Sequence, residues 1–340
     1  MKIQSILYRA AIAAAFLFTA VVAVTAPVRA QSLDQLNVAY FLQWPTANQV
    51  AQLDKTYDRE LGMPVKWRAF GNGNEMTAAM AGGDIHIAYS QGFIPFVVGV
   101  TKGIPLKLVG IAVTYSENDN CVVHPSAGVT KANAKGLEGK RVMTPIGNVT
   151  HYKMLRTLDH LDVDVNKVRV VPADSGNDVA AAFVRGDIAM GCAFGGPLNT
   201  MLDNGGKVLM TGAEQEAVGI QTFDIISVTE EFAKEHPDVL VKFLQITEDA
   251  NNAYKIYPAK HYEKIAKAAE DSVENTIGFL AKFGFPSAEE QLGKNWLDGG
   301  VARTAKGVAD LLVDKGQLNK ALSLRGYRKT VEDKYMKRVN

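Results

Sequence analysis

The residues whose types and spacing best fit a chemical role lie in the stretch NVTHYKMLRTLDHL, residues 148–161, which follows KRVMTPIG. The preceding segment has the apolar character of a buried strand and ends in a glycine-containing turn, and the stretch itself has the apolar spacing of a helix. Thr150, His151 and Tyr152 thus fall at a helix start, where unpaired backbone N–H groups and partial positive charge can hold an anion. A plain helix N-cap at Thr150 is the structural alternative.

Motifs of catalysis and metal binding do not occur in the sequence. The six histidines are scattered, with no HExxH motif and no paired spacing, so no metal site and no cofactor are predicted. No G-x-S-x-G motif, P-loop or convincing catalytic triad is present either. An enzyme would need a paired acid and base or an activated nucleophile, for which Asp224 with His151 is a candidate pair. Binding without catalysis is therefore favoured, with an enzyme as the alternative.

An internal repeat indicates which elements position these residues. Residues 65–90 and 168–193 align without a gap at a spacing of 103, and eight of 26 positions are identical around a GN[ED]…AA…GDI pattern. Each copy reads as strand, loop, helix, glycine turn and strand. Two copies are too few for a solenoid and indicate two similar lobes. Asp84 and Asp187 recur in the two glycine turns, where turn chemistry explains them.

A further strand and helix precede each copy, so each lobe has the order β-α-β-α-β. This order predicts an α/β fold in which each lobe is a mostly parallel sheet flanked by helices. Ligands bind such sheets beyond the carboxyl ends of the strands, so four loops that follow strands are expected to line one cleft. These loops are residues 43–49, 90–95, 147–152 and 194–197.

The chain is expected to pass between the two lobes twice. It enters the second lobe around residues 114–124 and leaves it around residues 221–232, and the later helical segments are expected to cover the first lobe. The predicted divisions are a leader of residues 1–30, lobe one of residues 31–115 and 229–340, and lobe two of residues 116–228.

The first segment of the chain has the residue order of a secretory signal peptide. Lys2 and Arg9 precede an uncharged apolar run over residues 10–26, and small residues close the segment at Ala30. Cleavage after Ala30 is predicted, and a membrane anchor is the alternative. Cleavage would remove Lys2, Arg9 and Arg29 and leave 34 basic against 36 acidic residues. Because no basic block is present, nucleic acid is not a predicted partner.

The segment GKRVMTPIGNVTHYKMLRTLDHLDVD, residues 139–164, resembles the taurine-binding periplasmic proteins of ABC importers, which share a GKR…P…THY pattern here. The stretches YFLQWPTANQ, NDNCVVH, FDIISV and EFAKEHPDVL resemble the same family. The resemblance implies a two-lobed, type II-like periplasmic binding fold with two crossover strands. It also implies a periplasmic monomer that closes about hinges near residues 114–120 and 224–230 and presents its ligand to an ABC permease in the inner membrane.

The ligand that this resemblance implies is taurine or a closely related small sulfonate. Taurine carries a sulfonate and an ammonium, so it needs two opposite sites a few atoms apart. The sulfonate fits the helix start at Thr150, His151 and Tyr152, and the ammonium needs a carboxylate or aromatic faces. Asp224 is the expected carboxylate and Trp44 the expected aromatic wall.

Four further residues complete the expected binding site, namely Gln91, Tyr115, Asn120 and Phe194. Phe194 replaces a tryptophan that some members of the family carry at the comparable place. This departure leaves two other ligands open, another aliphatic sulfonate and a thiamine-precursor-like compound.

Cys121 and Cys192 are too few and too far apart for a zinc ligand set. An even number of cysteines permits one disulfide in an oxidising compartment. In the two-crossover version of this fold, the strand after the first crossing lies beside the strand of the GDI turn. This placement implies a Cys121–Cys192 disulfide, and a nucleophile with a bystander thiol is the alternative.

Overall fold

Two five-stranded sheets carry the fold in the computed structural model, which describes residues 33–220 and 222–339. The first sheet contains β1 (Leu36–Phe41), β2 (Val65–Phe70), β3 (Ile87–Gly92), β4 (Leu106–Tyr115) and β10 (Thr222–Thr229). The second sheet contains β5 (Asp119–Val123), β6 (Arg141–Thr144), β7 (Arg169–Pro172), β8 (Met190–Phe194) and β9 (Lys207–Val208). The predicted leader, residues 1–30, lies outside the described residues.

Helices follow the strands in both halves of the chain. Those between β1 and β4 are α1 (Gln49–Leu53), α2 (Thr56–Leu61), α3 (Gly73–Ala81) and α4 (Phe93–Thr101). Those between β6 and β10 are α5 (Val149–His160), α6 (Gly176–Val184), α7 (Gly195–Asp203) and α8 (Gly212–Ala217). After β10 come α9 (Glu230–Glu235), α10 (Pro237–Ile256), α11 (Tyr262–Ala269), α12 (Val273–Leu280), α13 (Ala288–Gln291), α14 (Gly300–Asp314) and α15 (Leu324–Arg328).

The two sheets have the same topology, which confirms the predicted α/β fold with two similar lobes. The strand orders are β2-β1-β3-β10-β4 and β7-β6-β8-β5-β9. In each sheet the first three strands are parallel, as the β-α-β order requires, and the last two pair antiparallel to their neighbours. The strands of the sequence repeat, β2 with β3 and β7 with β8, occupy matching places in the two sheets.

Two segments of the chain connect the sheets. β4 ends at Tyr115 in the first sheet and β5 begins at Asp119 in the second, so residues 116–118 make the first crossing. The second crossing is complete before Thr222, because β10 is hydrogen-bonded between β3 and β4. The boundary placed at residue 228 falls inside β10. An apolar run identifies a strand but does not indicate which sheet it joins.

Local details at the carboxyl ends of the strands differ from the sequence expectation. No loop separates β3 from α4, since the strand ends at Gly92 and the helix begins at Phe93. The same direct transition joins β8 to α7. The N-cap of α5 is Asn148, so the cap expected at Thr150 was wrong by two residues. Thr150 instead lies inside the first turn of the helix.

The C-terminal helical segments cover the first sheet, as expected. The Tyr327 hydroxyl lies 2.7 Å from the Thr101 hydroxyl on α4. Val331 forms a parallel bridge with Leu108 on β4. With helices on both faces, all six residues of β3 are buried. The carboxyl end of β3 is thereby held rigidly, which matters because the candidate site begins there.

Cys121 and Cys192 are direct cross-strand partners on β5 and β8. Their sulfur atoms lie 2.08 Å apart, the bonding distance of a disulfide. Among residues 33–220 and 222–339, no helix is both long and apolar enough to cross a membrane.

Candidate ligand-binding site

Aromatic side chains from both lobes converge on Trp44, which follows β1 and is 2% exposed. Its ring centroid lies 4.8 Å from that of Phe283 and 5.0 Å from that of Tyr115. Phe194 of the second lobe packs edge-on at 5.5 Å, and Phe279 of α12 lies at 6.2 Å. We call these five residues the aromatic cluster. It forms a buried apolar wall where the two lobes meet, and aromatic rings of this kind can attract a cation through their negative faces.

The carboxylate of Asp224 lies against this cluster and is held by neutral donors. The Tyr115 hydroxyl donates to Oδ1 at 2.7 Å, and the Ser90 hydroxyl donates to Oδ2 at 2.8 Å. The Trp44 indole N–H donates in turn to the Ser90 oxygen at 3.0 Å. A carboxylate accepts about four hydrogen bonds, so two acceptor positions remain after these two donors. Asp224 forms no ion pair among the described residues.

Burial governs the electrostatics around Asp224. It raises the pKa of this carboxyl to about 7, against the opposing effect of the neighbouring donor groups of Tyr115, Ser90 and Trp44. Burial, followed by the nearby Asp224, also raises the pKa of Tyr115 well above its usual value, so the phenol keeps its proton and donates. Ser90 reaches the carboxylate from a backbone φ of 61°, an unusual conformation for a non-glycine residue. A cation beside Asp224 would stabilise the ionised carboxylate.

The start of α5 offers hydrogen-bond donors without a full positive charge. The N-cap residue Asn148 makes no capping hydrogen bond, and its buried Nδ2 has no partner among the described residues. The Thr144 hydroxyl donates to Thr150 at 3.1 Å, which leaves the Thr150 hydroxyl proton free to donate elsewhere. Together with the first backbone N–H groups of the helix, these donors suit an anion.

His151 is neutral at physiological pH, because burial lowers its pKa to about 4. Its Nδ1 accepts a hydrogen bond from the Gly147 N–H at 3.2 Å. The imidazole proton therefore resides on Nε2, where it can be donated. The helix start at residues 148–151 thus presents neutral, prearranged donors.

Gly92 lies between the carboxylate and the helix start. It is the cross-strand partner of Asp224 on β3. A Cβ at Gly92 would lie 2.8 Å from a methyl of Val149 and 3.5 Å from the Asn148 side-chain oxygen. Cross-strand partners are about 5 Å apart, so the carboxylate and the helix start lie on either side of one glycine. A small molecule with opposite charges a few atoms apart could contact both.

Further contacts join the lobes beside this site. At the start of α3, the amides of the N-cap residue Asn72 and of Asn74 donate to the main-chain oxygens of Asp174 at 2.6 Å and Ile146 at 2.8 Å, respectively. A Cβ at Gly195 would lie 2.6 Å from the Gln43 main-chain oxygen. We call Gln43, Asn72, Asn74 and Gly195 with their partners the interlobe latch. A groove of about 350 Å³ lies beside it, lined by both lobes and by Phe194.

A second buried acid lies near Asp224. Asp119 is 1% exposed, and its Oδ1 has no hydrogen-bond partner among the described residues. Burial raises its pKa to about 7, opposed by Lys153 and reinforced by Asp224. Lys153 of α5 is also 1% exposed and donates to the main-chain oxygens of Ser116 and Asp119. Neither Asp119 nor Lys153 is among the site residues predicted from the sequence.

The NMT1/THI5-like family model matches residues 47–261. The chain belongs to this family. It is 32% identical over 227 residues to the taurine-binding periplasmic protein of Escherichia coli (strain K12), which covers 65% of this chain and 68% of that protein. It is 24% identical over 243 residues to the putative aliphatic sulfonates-binding protein of Bacillus subtilis (strain 168), covering 71% of this chain and 67% of the other.

A solved structure shows the same fold. The alkanesulfonate-binding protein SsuA of Xanthomonas axonopodis pv. citri, bound to MOPS, matches with a TM-score of 0.72 at 18% identity, covering 89% of this chain and 99% of that chain. The two-lobed periplasmic binding fold is therefore confirmed for this member of the NMT1/THI5-like family.

The structure brings together some of the predicted site residues of this family member and separates others. Trp44, Tyr115, Phe194 and Asp224 form one cluster. Asn148 and Val149, which directly precede Thr150 and His151, lie beside Gly92, the cross-strand partner of Asp224. The hydroxyl of the buried Tyr152 accepts a hydrogen bond from Arg156 at 3.5 Å, within the same helix.

Gln91 and Asn120 are satisfied within their own lobes. The Gln91 side chain donates to Thr77 and accepts from Ser227. The Asn120 side chain donates to the Met210 main-chain oxygen at 3.0 Å and accepts from Gln215 at 2.9 Å. Each amide thus has a donor and an acceptor already engaged within the protein.

Proposed function

We propose that this chain is the periplasmic solute-binding component of an ABC importer and captures a small zwitterionic sulfonate, taurine or a close relative, between its lobes. One observation carries the proposal: Gly92 is the cross-strand partner of Asp224, a buried carboxylate without an ion pair among the described residues, and it lies beside the start of α5, which lacks a side-chain cap. The E. coli relative is named as taurine-binding and the B. subtilis relative as binding aliphatic sulfonates, which supports this ligand class.

The sulfonate is assigned to the start of α5. Its oxygens accept hydrogen bonds from the first backbone N–H groups, the Thr150 hydroxyl and the His151 Nε2–H. A sulfonate stays ionised at all physiological pH values, so dipoles that need not titrate are sufficient to hold it. Asn148 Nδ2, buried and without a partner among the described residues, is a further donor.

The ammonium is assigned to Asp224 and the aromatic cluster. Its three N–H groups can reach the free acceptor positions of the carboxylate. The Trp44 and Tyr115 rings exclude water, and their faces attract the cation. The carboxylate gains a positive partner in place of the proton that burial favours.

Closure of the lobes is part of the proposed mechanism. A ligand that contacts both lobes binds the closed form more tightly than the open form and shifts the population toward it. The interlobe latch then adds hydrogen bonds that exist in the closed form alone. The hinges are the two crossings, residues 116–118 and the stretch around residues 218–220, with lobe two between them. The second hinge expected near residues 224–230 was wrong, because most of those residues lie inside β10 of the first sheet.

A calorimetric panel tests the ligand class. Taurine, hypotaurine, isethionate, longer alkanesulfonates and amino acids are titrated into the leaderless protein, and the ligand is recovered afterwards. We expect taurine to bind more tightly than isethionate, which has no ammonium, and to be recovered intact. Chemical turnover would favour the enzyme alternative. If an alkanesulfonate without an ammonium binds most tightly, the ligand class named for the B. subtilis relative is favoured instead.

The cellular setting is proposed with the function. Residues 1–30 direct export to the periplasm and are removed after Ala30, and the mature monomer delivers its ligand to an inner-membrane permease. In that oxidising compartment Cys121 and Cys192 form a disulfide, for which their direct pairing across β5 and β8 is the support. Mass spectrometry of periplasmic protein tests both points, because alkylation before reduction should label neither thiol and the mature chain should begin at Gln31.

A further inference from the structure

The first crossing between the sheets, residues 116–118, is bracketed by a buried lysine of the second lobe. Lys153 of α5 is 1% exposed, and its ammonium donates to the main-chain oxygen of Ser116 at 2.7 Å and to that of Asp119. Ser116 is the first residue of the crossing, and Asp119 begins β5 directly after it. One side chain thus clamps both ends of this hinge.

The middle of the crossing is also held. The Glu117 carboxylate accepts a hydrogen bond from the Gly212 N–H at 2.7 Å, where α8 begins. The Asn118 main-chain oxygen accepts from the Gly195 N–H at 3.1 Å, and the Asn118 side chain donates to the Phe279 main-chain oxygen at 3.1 Å. Apart from the Phe279 contact, these bonds attach the crossing to the second lobe.

A lysine at so buried a position needs a physical reason, because removing an ammonium from water costs free energy. Burial lowers the pKa of Lys153, and the carboxylates of Asp119, Glu117 and Glu216 oppose this by favouring the charged form. An ammonium on a long stem carries several donors and can bridge two carbonyl oxygens, which an apolar side chain cannot do. What the lysine provides is therefore the fixed position of the crossing.

The helix that carries the clamp also carries the proposed anion end of the site. Thr150 precedes Lys153 by three residues in α5, so the two side chains lie on one face of the helix, with Cβ atoms about 5 to 6 Å apart. The sulfonate donors and the clamp therefore belong to one rigid element. A movement of the helix start moves the crossing with it.

We propose that Lys153 is a positioning residue for closure, which fixes the first crossing to α5 so that the hinge and the sulfonate-holding helix move as one body. The inference rests on the proposed function and adds to it a residue that does not touch the ligand. With the crossing fixed in this way, the lobes close at one angle.

A single closing angle matters because the ligand is small. Asp224 of the first lobe and the start of α5 in the second must both come within reach of the same few atoms. A loosely held crossing would allow closure at many angles, of which few bring the two ends into register. The apparent affinity falls with the fraction of the protein in the competent arrangement. Lys153 thus raises the affinity through the hinge.

A Lys153→Met variant of the leaderless protein tests the clamp, because methionine keeps an unbranched stem and removes the ammonium. Taurine and isethionate should both weaken by about tenfold, since closure serves both ligands. Small-angle scattering of the taurine-saturated variant should give a radius of gyration between those of the free and saturated wild type. Unchanged affinities with full compaction would overturn the proposal and leave the proposed function intact.

Ile188→Ala is the control for lost stability. Ile188 is buried in the separate core cluster of the second lobe, with Val179 and Phe183, so its truncation destabilises the same lobe. Urea unfolding measures the stability of both variants. Ile188→Ala should keep both affinities and compact fully. If it loses as much affinity as Lys153→Met at a similar loss of stability, stability and not the hinge is responsible, and the proposal fails.

The wild-type protein provides a test that does not depend on a variant folding. With nitrogen-15 lysine and carbon-13 carbonyls, the Lys153 ammonium should give a slowly exchanging NMR signal with hydrogen-bond couplings to the carbonyls of Ser116 and Asp119. We expect this signal with and without taurine. Its loss in the ligand-free protein would show that the clamp does not hold the open hinge, and would overturn the proposal. If no sulfonate binds, the proposed function fails, and the ligand-free spectrum still decides the clamp.

Discussion

The two ends of the candidate site are built in different ways. The anion end consists of consecutive residues, 148–151, whose donors are neutral. Burial lowers the pKa of His151, so its imidazole carries no charge at neutral pH. The cation end consists of Trp44, Ser90, Tyr115 and Asp224, which come from four separate segments and hold a carboxyl group without a cation. A permanent anion needs only fixed dipoles, whereas an ammonium needs a countercharge that is costly to bury until the ligand arrives.

The largest change in affinity is expected at the cation end, and it should differ between the two ligands. Asp224→Asn keeps the shape and removes the charge, so taurine should lose on the order of 100-fold in affinity or more, about 3 kcal/mol. Isethionate should lose little, because it carries no ammonium. Calorimetry of both ligands measures the difference, with Asp187→Asn, a half-exposed turn acid of the second lobe, as the matched control. Equal losses for the two ligands would remove Asp224 from the cation end.

The two ends should also respond oppositely to pH in the ligand-free protein. The pKa of Asp224 is raised from 3.8 to about 7, so between these values the folded state binds more protons than the unfolded state and stability falls as pH rises. The pKa of His151 is lowered from 6.5 to about 4, so the unfolded state binds more protons there and stability falls as pH falls.

Urea unfolding at pH 5 and pH 7 measures both contributions. Relative to the wild type, Asp224→Asn should become about 2 kcal/mol more stable on going from pH 5 to pH 7. His151→Gln should shift by about 2 kcal/mol in the other direction, gaining relative stability as pH falls from 6.5 to 5. Shifts of the same sign in the two variants would contradict the contrast between the ends.

Closure should affect both ends together. Gly195 has a φ of +61°, and a Cβ there would lie 2.6 Å from the Gln43 main-chain oxygen across the interlobe latch. Gly195→Ala should therefore weaken taurine and isethionate equally, by about tenfold. Small-angle scattering should show less compaction on adding taurine.

Gly139→Ala is the matched control for closure. Gly139 has a φ of +81° in the second lobe and nothing within 4 Å of an added Cβ. This variant bears the same backbone strain without an interlobe contact, so it should lose stability and keep its affinity. A similar loss of affinity in both variants would show that strain, and not closure, is responsible.

The smallest expected effect lies at the anion end. Thr150→Val removes one neutral hydroxyl donor and keeps the shape, so it should weaken taurine and isethionate alike by about fivefold, close to 1 kcal/mol. Thr157→Val, farther along the same helix and equally buried, is the control. A loss confined to taurine would place the ammonium, and not the sulfonate, at Thr150.

The anion end could be predicted from local sequence patterns, whereas the cation end could not. The helix start was predictable because its strand, turn and helix are consecutive, although the N-cap is Asn148 and not Thr150. The duplicated topology was predictable from the gap-free repeat. Trp44 and Asp224 were named through family resemblance, and their mutual contact through Ser90 depends on residues 46 and 134 positions apart. Contacts between residues so far apart in the chain cannot be inferred from the local spacing of apolar residues.

Other residues show where sequence reasoning lacked the necessary information. Gln91 lies near the end of β3 and Asn120 near the start of β5, and partners distant in sequence engage their amides. Asp119 could not be singled out in the NDNCVVH stretch, because nothing local distinguishes a carboxylate at the first residue of a strand from one in the preceding turn. Lys153 did carry a signal, since it falls four residues after Val149 on the buried face of α5, where a lysine needs a partner.

The most direct test of the proposed zwitterion site is a crystal structure of the leaderless protein grown with taurine, in which anomalous scattering locates the ligand sulfur. We expect the sulfonate oxygens about 3 Å from the backbone nitrogens at the start of α5, and the ammonium about 3 Å from the Asp224 carboxylate. A sulfur atom at the Asp224 end, or taurine bound away from the cleft, would contradict the assignment of the two ends.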